Sequence, residues 1–177
     1  MKKSLIFIGC LYLVSCGDYH VSNFIFQSYC DDKSYVGQFI YQREGLSDEF
    51  FREIPTDQVE LRKVIGSYYL EDKQYLIDSA VFDKHYEKVY QEKELLSPIG
   101  PIYSFESYIF RKSDGKKLGK AVSVVNKKGW LHETNLLWTN TGSNCPRYKS
   151  KGGTYIANPD HTSLKQHIFY KQSLKGY

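Results

Sequence analysis

The chain has 177 residues, of which 41% are hydrophobic and 25% charged, and it carries a net charge of +4. This length suits a single domain, and so small an excess of positive charge does not indicate a nucleic-acid-binding protein. Beyond residue 15, no segment is apolar enough to span a membrane.

The first predicted element is a short apolar segment at the N-terminus. Two lysines precede the apolar run Ser4 to Val14, and Ser15 and Cys16 follow it. The run has 11 residues, whereas a membrane-spanning helix needs about 20. Positive residues, a short apolar run and a small residue before the cleavage point are the parts of a secretory signal peptide. The segment is therefore predicted to be removed.

The end of this segment, Leu13-Val14-Ser15-Cys16, resembles the lipobox of bacterial lipoproteins. The resemblance covers residues 1–16 only, and Leu13 fits it better than it fits the Ala-x-Ala site of other secretory signals. It implies that a diacylglyceryl group joins the Cys16 thiol, that the chain is cleaved before Cys16, and that a fatty acid such as palmitate acylates the new amino group. Two or more acyl chains anchor a protein stably, so the membrane is the predicted partner of Cys16. An unprocessed N-terminus with an incidental cysteine is the alternative.

The residue after the predicted lipidated cysteine is Gly17. In Gram-negative lipoproteins an aspartate at this position tends to retain the protein in the inner membrane. The resemblance therefore favours the outer membrane, facing the periplasm, over the inner membrane or the surface of a Gram-positive cell. The predicted organisation is a signal peptide at 1–15, the lipidated cysteine and a short tether at 16–22, and one globular domain at 23–177. The mature chain would have 162 residues and a net charge of +2.

The remaining cysteines agree with export. Cys10 leaves with the signal peptide and Cys16 is predicted to carry lipid, which leaves Cys30 and Cys145. Two thiols in an oxidising compartment predict one disulfide; two buried free thiols or an intermolecular bond are the alternatives. Neither cysteine has the close companions of a zinc site, and no metal or cofactor is predicted.

The elements of the globular domain follow from hydrophobic periodicity and turn residues. Strands are predicted at 23–29 and 35–41, one or two helical turns at 46–54, a helix at 57–65, a hairpin of 67–70 with 74–82, a helix at 83–96, a hairpin of 102–112 with 117–127, a strand at 130–138, a loop at 139–153 and a final helix or strand from 160. The most specific signal is Asp114-Gly115 between two alternating runs, which favours a hairpin. The predicted fold is α+β, a mainly antiparallel sheet with one to three short helices on one face.

Charge is unevenly distributed along the mature chain. Residues 16–110 have a net charge of −8, whereas residues 111–177 have a net charge of +10. One interpretation is that opposite charges interleave on the folded surface. The other is a basic face that meets an acidic partner or anionic lipid headgroups. The residues predicted to form that face are Arg111, Lys112, Lys116, Lys117, Lys120, Lys127 and Lys128.

The 16 tyrosines also have two interpretations. Tyrosine combines a large apolar ring with a polar tip, so it can fill the half-buried face of a sheet. Alternatively, exposed tyrosines form a recognition surface for a protein or a glycan, because aromatic side chains concentrate at interfaces.

Catalytic motifs are absent from the sequence: no Gly-x-Ser-x-Gly occurs, and the five histidines are scattered. The predicted function is a non-enzymatic binding or inhibitory module of the cell envelope, immunity proteins being one such kind, with a protein or an envelope polymer as partner. The alternative is a lipid-anchored hydrolase that uses dispersed carboxylates such as Asp78 and Glu106, which need have no fixed sequence spacing.

Overall fold

A computed structural model of the chain describes residues 20–64, 68–71, 73–91, 93–127, 143–146, 148–149, 155–156 and 160–172. It confirms a single α+β domain with mainly antiparallel sheets. Contacts divide this domain into two compact units. The first unit takes its described residues from Met1–Gly37, Glu92–Phe105 and Val122–Asn158, and the second takes them from Gln38–Gln91, Glu106–Ala121 and Pro159–Tyr177.

The described residues contain four α-helices, one more than the sequence predicts. They are α1 at 20–31, α2 at Gln58–Lys63, α3 at Ser79–His85 and α4 at Asp160–Ile168, and a 3-10 turn occupies Asp48–Phe50. The strands are β1 Gly37–Ile40, β2 Glu44–Leu46, β3 Phe51–Arg52, β4 Tyr69–Leu70, β5 Tyr75–Ile77, β6 Tyr86–Tyr90, β7 Glu94–Ser97, β8 Ile102–Arg111, β9 Lys116–Asn126, β10 Ser143–Cys145, β11 Tyr148–Lys149, β12 Tyr155–Ile156 and β13 Phe169–Lys171.

The largest sheet has six strands. Its order is β1-β9-β8-β6, with β10 added to β9 and β7 added to β8. A second sheet has the order β3-β5-β4, and the short pairs β11-β12 and β13-β2 complete the set, the last of them parallel. Within the described residues, no helix has the length and apolar character of a membrane span.

The hairpin of β8 and β9 forms where the sequence predicts it. Gly115 adopts a φ of +66°, a conformation that favours glycine. The carboxylate of Asp114 accepts a hydrogen bond from the Lys116 backbone N–H at 3.1 Å and so closes the turn. Local turn chemistry and alternation agree here, which is why this prediction is confirmed.

The first unit contains the clearest error of the sequence prediction, because residues 23–29 are not a strand. They belong to α1, whose described part, residues 20–31, also includes the end of the predicted tether. Ser22 and Phe26 are fully buried and Cys30 lies four residues further on, the spacing of one helical face. Tertiary packing of that face overrides the strand preference of the aromatic and β-branched residues.

The core of the first unit joins α1 to the sheet. It consists of Phe26, Val36, Ile102, Val124 and Cys145. A disulfide links Cys30 on α1 to Cys145 on β10, with the two Cα atoms 5.6 Å apart, as the cysteine count predicts. The helix is thereby bonded covalently to a strand of the largest sheet.

The turn between β7 and β8 packs closely against α1. Gly100 has a φ of +88°, and a Cβ at this position would overlap the side chain of Ser22. Asn126 donates a hydrogen bond to the Ser22 hydroxyl at 3.3 Å. These contacts hold the first turn of α1 in place.

The second unit has a larger core, rich in aromatic rings. The ring of Phe82 lies 4.9 Å from that of Tyr86 and 5.0 Å from that of Phe169, centroid to centroid. Edge-to-face and tilted pairs of this kind add to the free energy gained by burying the rings. Tyr86 is only 5% exposed, so at least one tyrosine serves as a core residue.

The helix predicted at 83–96 is also wrong. Asp78 caps α3 by accepting hydrogen bonds from the backbone N–H groups of Ala80 and Val81, so the helix begins earlier and ends at His85. The chain then continues as β6, which pairs with β8. Tyr86, Val89 and Tyr90 recur at helical spacing, but the strand partner decides the structure.

At the C-terminal end, helix α4 begins at Asp160 as predicted and continues into β13. Leu164, Ile168 and Phe169 are buried in the core of the second unit. The strand predicted at 130–138 lies outside the described residues, and of the predicted loop only 143–146 and 148–149 are described.

Candidate binding surface

An aromatic and charged surface lies on one side of β8 in the second unit. Ser107 and Ile109 are fully buried, whereas Glu106, Tyr108 and Phe110 are partly exposed. Successive side chains of a strand point to opposite faces, so the last three residues share the face that turns away from the core.

The neighbouring strand extends this surface. Val89 pairs with Tyr108 and Glu87 pairs with Phe110 in the antiparallel register of β6 and β8, and directly opposed residues share a face. Val89 is 37% exposed. We call this surface the outer sheet face and define it as Phe39 on β1, Glu87 and Val89 on β6, Glu106, Tyr108 and Phe110 on β8, and Lys117 and Lys120 on β9.

Two lysines of β9 lie over the aromatic rings of the outer sheet face. The Lys117 ammonium is 3.9 Å from the ring centroid of Tyr108 and 5.7 Å from that of Phe110. The Lys120 ammonium is 5.1 Å from the ring centroid of Phe39. A cation over an aromatic face gains about 0.5–1 kcal/mol at an exposed site, so these contacts hold both lysines against the sheet.

The charges on the outer sheet face are not equivalent. Lys120 lies 3.9 Å from a carboxylate oxygen of Glu106, and the Tyr108 hydroxyl donates a hydrogen bond to the other oxygen. Among the described residues, Lys117 takes part in no salt bridge. Lys117 is therefore the cation on this surface with the most capacity for a new partner.

The seven residues predicted to form a basic face have different surroundings in the structure. Arg111 is turned toward acidic groups of its own chain, 3.0 Å from Glu44 and 2.7 Å from Asp114. The hydrogen bonds from Arg111 hold the pKa of Asp114 at about 2. Arg111 thus stabilises the fold and is not free to bind a partner.

The other predicted basic residues have separate surroundings. Lys112 donates a hydrogen bond to the carbonyl of Asp83 at 2.7 Å, and Lys116 is exposed at the start of β9. Lys127 belongs to the first unit and bonds through its backbone to Pro101. Lys128 lies outside the described residues. Of the seven, Lys117 and Lys120 are the pair that the outer sheet face brings together.

Part of the charge segregation along the sequence is offset by ion pairs between the acidic and basic parts of the chain. Basic residues after position 110 meet acidic residues before it in the pairs Arg111–Glu44, Lys120–Glu106 and Lys171–Asp48. Five of these six side chains are only partly exposed, and even fully exposed pairs contribute up to about 1 kcal/mol each. They nevertheless reduce the positive charge that the C-terminal part presents to a partner.

The two carboxylates considered for hydrolysis have structural contacts. Asp78 caps α3, and Glu106 contacts Tyr108 and Lys120 on the outer sheet face. Within the part of the chain that is described, no three His, Cys, Asp or Glu side chains are arranged to hold a metal ion.

A hydrogen-bonded pair of polar side chains, Ser107 and His161, lies between β8 and α4. The sequence does not predict this pair. The Ser107 hydroxyl and Nδ1 of His161 are 2.8 Å apart, and Lys88 donates a hydrogen bond to the His161 carbonyl. Ser107 is fully buried, so this serine–histidine pair joins a strand to a helix and does not present a nucleophile.

The aromatic part of the outer sheet face was missed by sequence reasoning. The signal was present, because Glu106, Tyr108 and Phe110 alternate with buried residues in a strand that was correctly predicted. The helical spacing of residues 83–96 predicts a helix that includes Val89, which the structure places on β6. The position of Phe39 beside Lys120 depends on strand order, which alternation does not reveal.

Comparison of the chain with protein-family models, with curated proteins and with solved structures finds no match.

Proposed function

We propose that this protein is a lipid-anchored lipoprotein of the bacterial envelope whose folded domain binds another macromolecule through the outer sheet face. The observation that carries the binding proposal is the position of Lys117 over Tyr108 and Phe110 on the side of β8 away from the core. The anchor rests on the sequence around Cys16, and the outer membrane is the proposed location.

The chemistry of this face suits recognition. Aromatic rings offer contact area at low cost in side-chain entropy and are common among the residues that dominate binding. Lys117 adds a positive charge that is held in place by two rings and that complements a negative group on the partner. The partner is an envelope protein or polymer with an acidic group beside an apolar area.

An inhibitory or immunity-type role is one form of this proposal. Such a protein acts by covering the active surface of its target, which needs a rigid binding face. The outer sheet face is built on paired strands, and sites on strands are held more firmly than sites on loops.

The test uses the domain without lipid, expressed from residue 17 and incubated with envelope extract in the presence of a chemical cross-linker. We expect Lys117→Glu and Tyr108→Ser each to reduce recovery of the partner, by about fivefold or more for a residue that dominates binding. Lys116→Glu is the matched control, because Lys116 is the exposed neighbour of Lys117 on β9 and, among the described residues, the cation–π contacts with Tyr108 and Phe110 are made by Lys117.

Quantitative mass spectrometry of the cross-linked proteins gives the readout. If the partner is recovered equally with the wild-type domain, Lys117→Glu and Lys116→Glu, the outer sheet face is not the binding surface. Circular dichroism of each variant checks that its fold is retained.

A further inference from the structure

Helix α1 has an exposed face whose polarity changes along its length. At 3.6 residues per turn, His20, Val21, Phe24, Ser28 and Asp31 fall within one narrow sector of the helix, and all five are exposed. Val21 is 47% exposed and Phe24 is 79% exposed. The N-terminal half of this face therefore carries the two apolar side chains, Val21 and Phe24, beside His20, whereas its C-terminal half is polar and acidic. We call it the α1 outer face.

The opposite side of α1 is held firmly in the first unit. Ser22 and Phe26 are fully buried, and Cys30 is bonded to Cys145. The helix cannot turn to bury Phe24 without breaking these contacts. The side chain of Phe24 is thus displayed on a fixed frame.

The apolar end of the α1 outer face lies close to the predicted lipid. Four residue steps separate Cys16 from His20, and they span at most about 14 Å when fully extended. The helix adds about 6 Å from His20 to Phe24. Phe24 is therefore within about 20 Å of Cys16, a distance that lets it reach the bilayer surface whenever Cys16 is anchored there.

The charges indicate how the helix meets the membrane. Asp31 and Asp32 are exposed at the far end of α1, about 10 Å along the axis from Phe24. Acidic side chains avoid the anionic surface of a membrane, while an apolar helix face inserts about 5–10 Å into its interface. The helix would therefore meet the bilayer with its first turns, and its acidic end would remain in water.

We infer that the N-terminal half of the α1 outer face, centred on Val21 and Phe24, docks into the interface of the bilayer that holds Cys16. This inference rests on the lipid anchor proposed above. Lipid and helix together give two attachments, and the first unit is then oriented on the membrane instead of moving freely about a single point.

The experiment uses the full chain, produced in a bacterium that lipidates it and reconstituted into phosphatidylcholine vesicles with or without brominated acyl chains. Phe24→Trp places a fluorescent probe on the apolar end, and Asp31→Trp is the matched control on the same helix. The unsubstituted protein gives the background from Trp130 and Trp138. We expect bromolipid to quench the added fluorescence of Trp at position 24 at least twofold more than that at position 31.

Three other outcomes would overturn the inference, and they are distinguishable. If the protein sediments with vesicles but neither probe is quenched, the anchor stands and α1 does not dock. If the probe at position 24 is blue-shifted but unquenched, another part of the chain or a second copy covers it. If the protein carries no lipid and remains in solution, the proposed anchor itself fails.

Discussion

At the scale of single residues, Lys165 is the most deeply buried charged side chain among the described residues. It lies on α4, is 4% exposed, and its ammonium is 3.3 Å from the ring centroid of Tyr68 and 4.6 Å from that of Phe82. Burial lowers the pKa of Lys165 from its ordinary value of 10.5 to about 8; Lys88 adds to the shift and Asp83 opposes it. The aromatic contacts recover only part of the cost of removing the charge from water.

This shift makes stability depend on pH. Lysine in the unfolded chain is half deprotonated only above about pH 10, whereas folded Lys165 is half deprotonated near pH 8. Between these values the unfolded state binds more protons, so the free energy of unfolding rises with pH. Burial and Asp83 raise the pKa of Tyr68. Above about pH 10 the folded state therefore binds more protons at Tyr68 than the unfolded state does, and the free energy of unfolding falls with pH. The effect of Lys165 is best measured below that pH.

We predict that Lys165→Met stabilises the protein at pH 7 by on the order of 1–3 kcal/mol, because it removes a buried charge and keeps the side-chain volume. The variant should also lose most of the rise in stability between pH 8 and 9.5. Urea unfolding at several pH values measures both effects. Lys116→Met, at an exposed position, is the control and should keep the rise; its persistence in Lys165→Met would show that another group causes it.

At the scale of elements, the sequence predicts best where local and tertiary preferences agree. The hairpin of β8 and β9 has alternation, a turn glycine and an aspartate that bonds the turn. Helix α1 lacks such agreement, because its residues favour strands while its burial pattern favours a helix. The prediction for residues 86–90 is wrong in the opposite sense. Their spacing favours a helix, but they form a strand because they pair with β8.

The candidate site shows the same division. Alternation along β8 could have identified Tyr108 and Phe110 as neighbours of the predicted basic residues. The contact of Lys120 with Phe39 follows from the position of β1 next to β9. Strand order is determined by the packing of segments that are distant in the sequence. It therefore cannot be read from the alternation of residues in a single sequence.

The disulfide is the strongest link between elements in the first unit. It joins α1 to β10 across a sequence separation of 115 residues. A crosslink that closes so long a loop restricts the unfolded chain and stabilises the fold by about 4–5 kcal/mol on the chain-entropy model. The helix that carries Val21 and Phe24 therefore depends on it.

We predict that Cys30→Ala combined with Cys145→Ala lowers the free energy of unfolding by about 3–5 kcal/mol and increases hydrogen exchange most strongly in α1. Urea unfolding and hydrogen-exchange mass spectrometry of the domain expressed from residue 17 test this. Adding a reductant to the wild-type domain should produce the same loss, and it should not affect the double variant. Equal stability of all three samples would contradict the prediction.

At the scale of the whole molecule, ion pairs within the fold neutralise part of the charge. The acidic and basic parts of the sequence meet in ion pairs, and Arg111, the first residue of the predicted basic face, is held between Glu44 and Asp114. The binding proposal therefore depends on a local feature, the position of Lys117 over two aromatic rings of the outer sheet face. Net charge therefore says less about binding than the position of one lysine.

The lipid anchor proposed at Cys16 leads to a prediction about the mass of the mature protein. We expect intact-mass spectrometry of the membrane-extracted protein to show a chain that begins at Cys16 and carries the added mass of three acyl chains, two on glycerol and one on the amino group. Residues 17–177 placed behind a signal peptide with an Ala-x-Ala site should be soluble in the periplasm, because the chain then lacks both lipid and apolar leader. A protein that keeps residues 1–15, or an unmodified Cys16 in the membrane fraction, would show that the apolar run itself is the anchor.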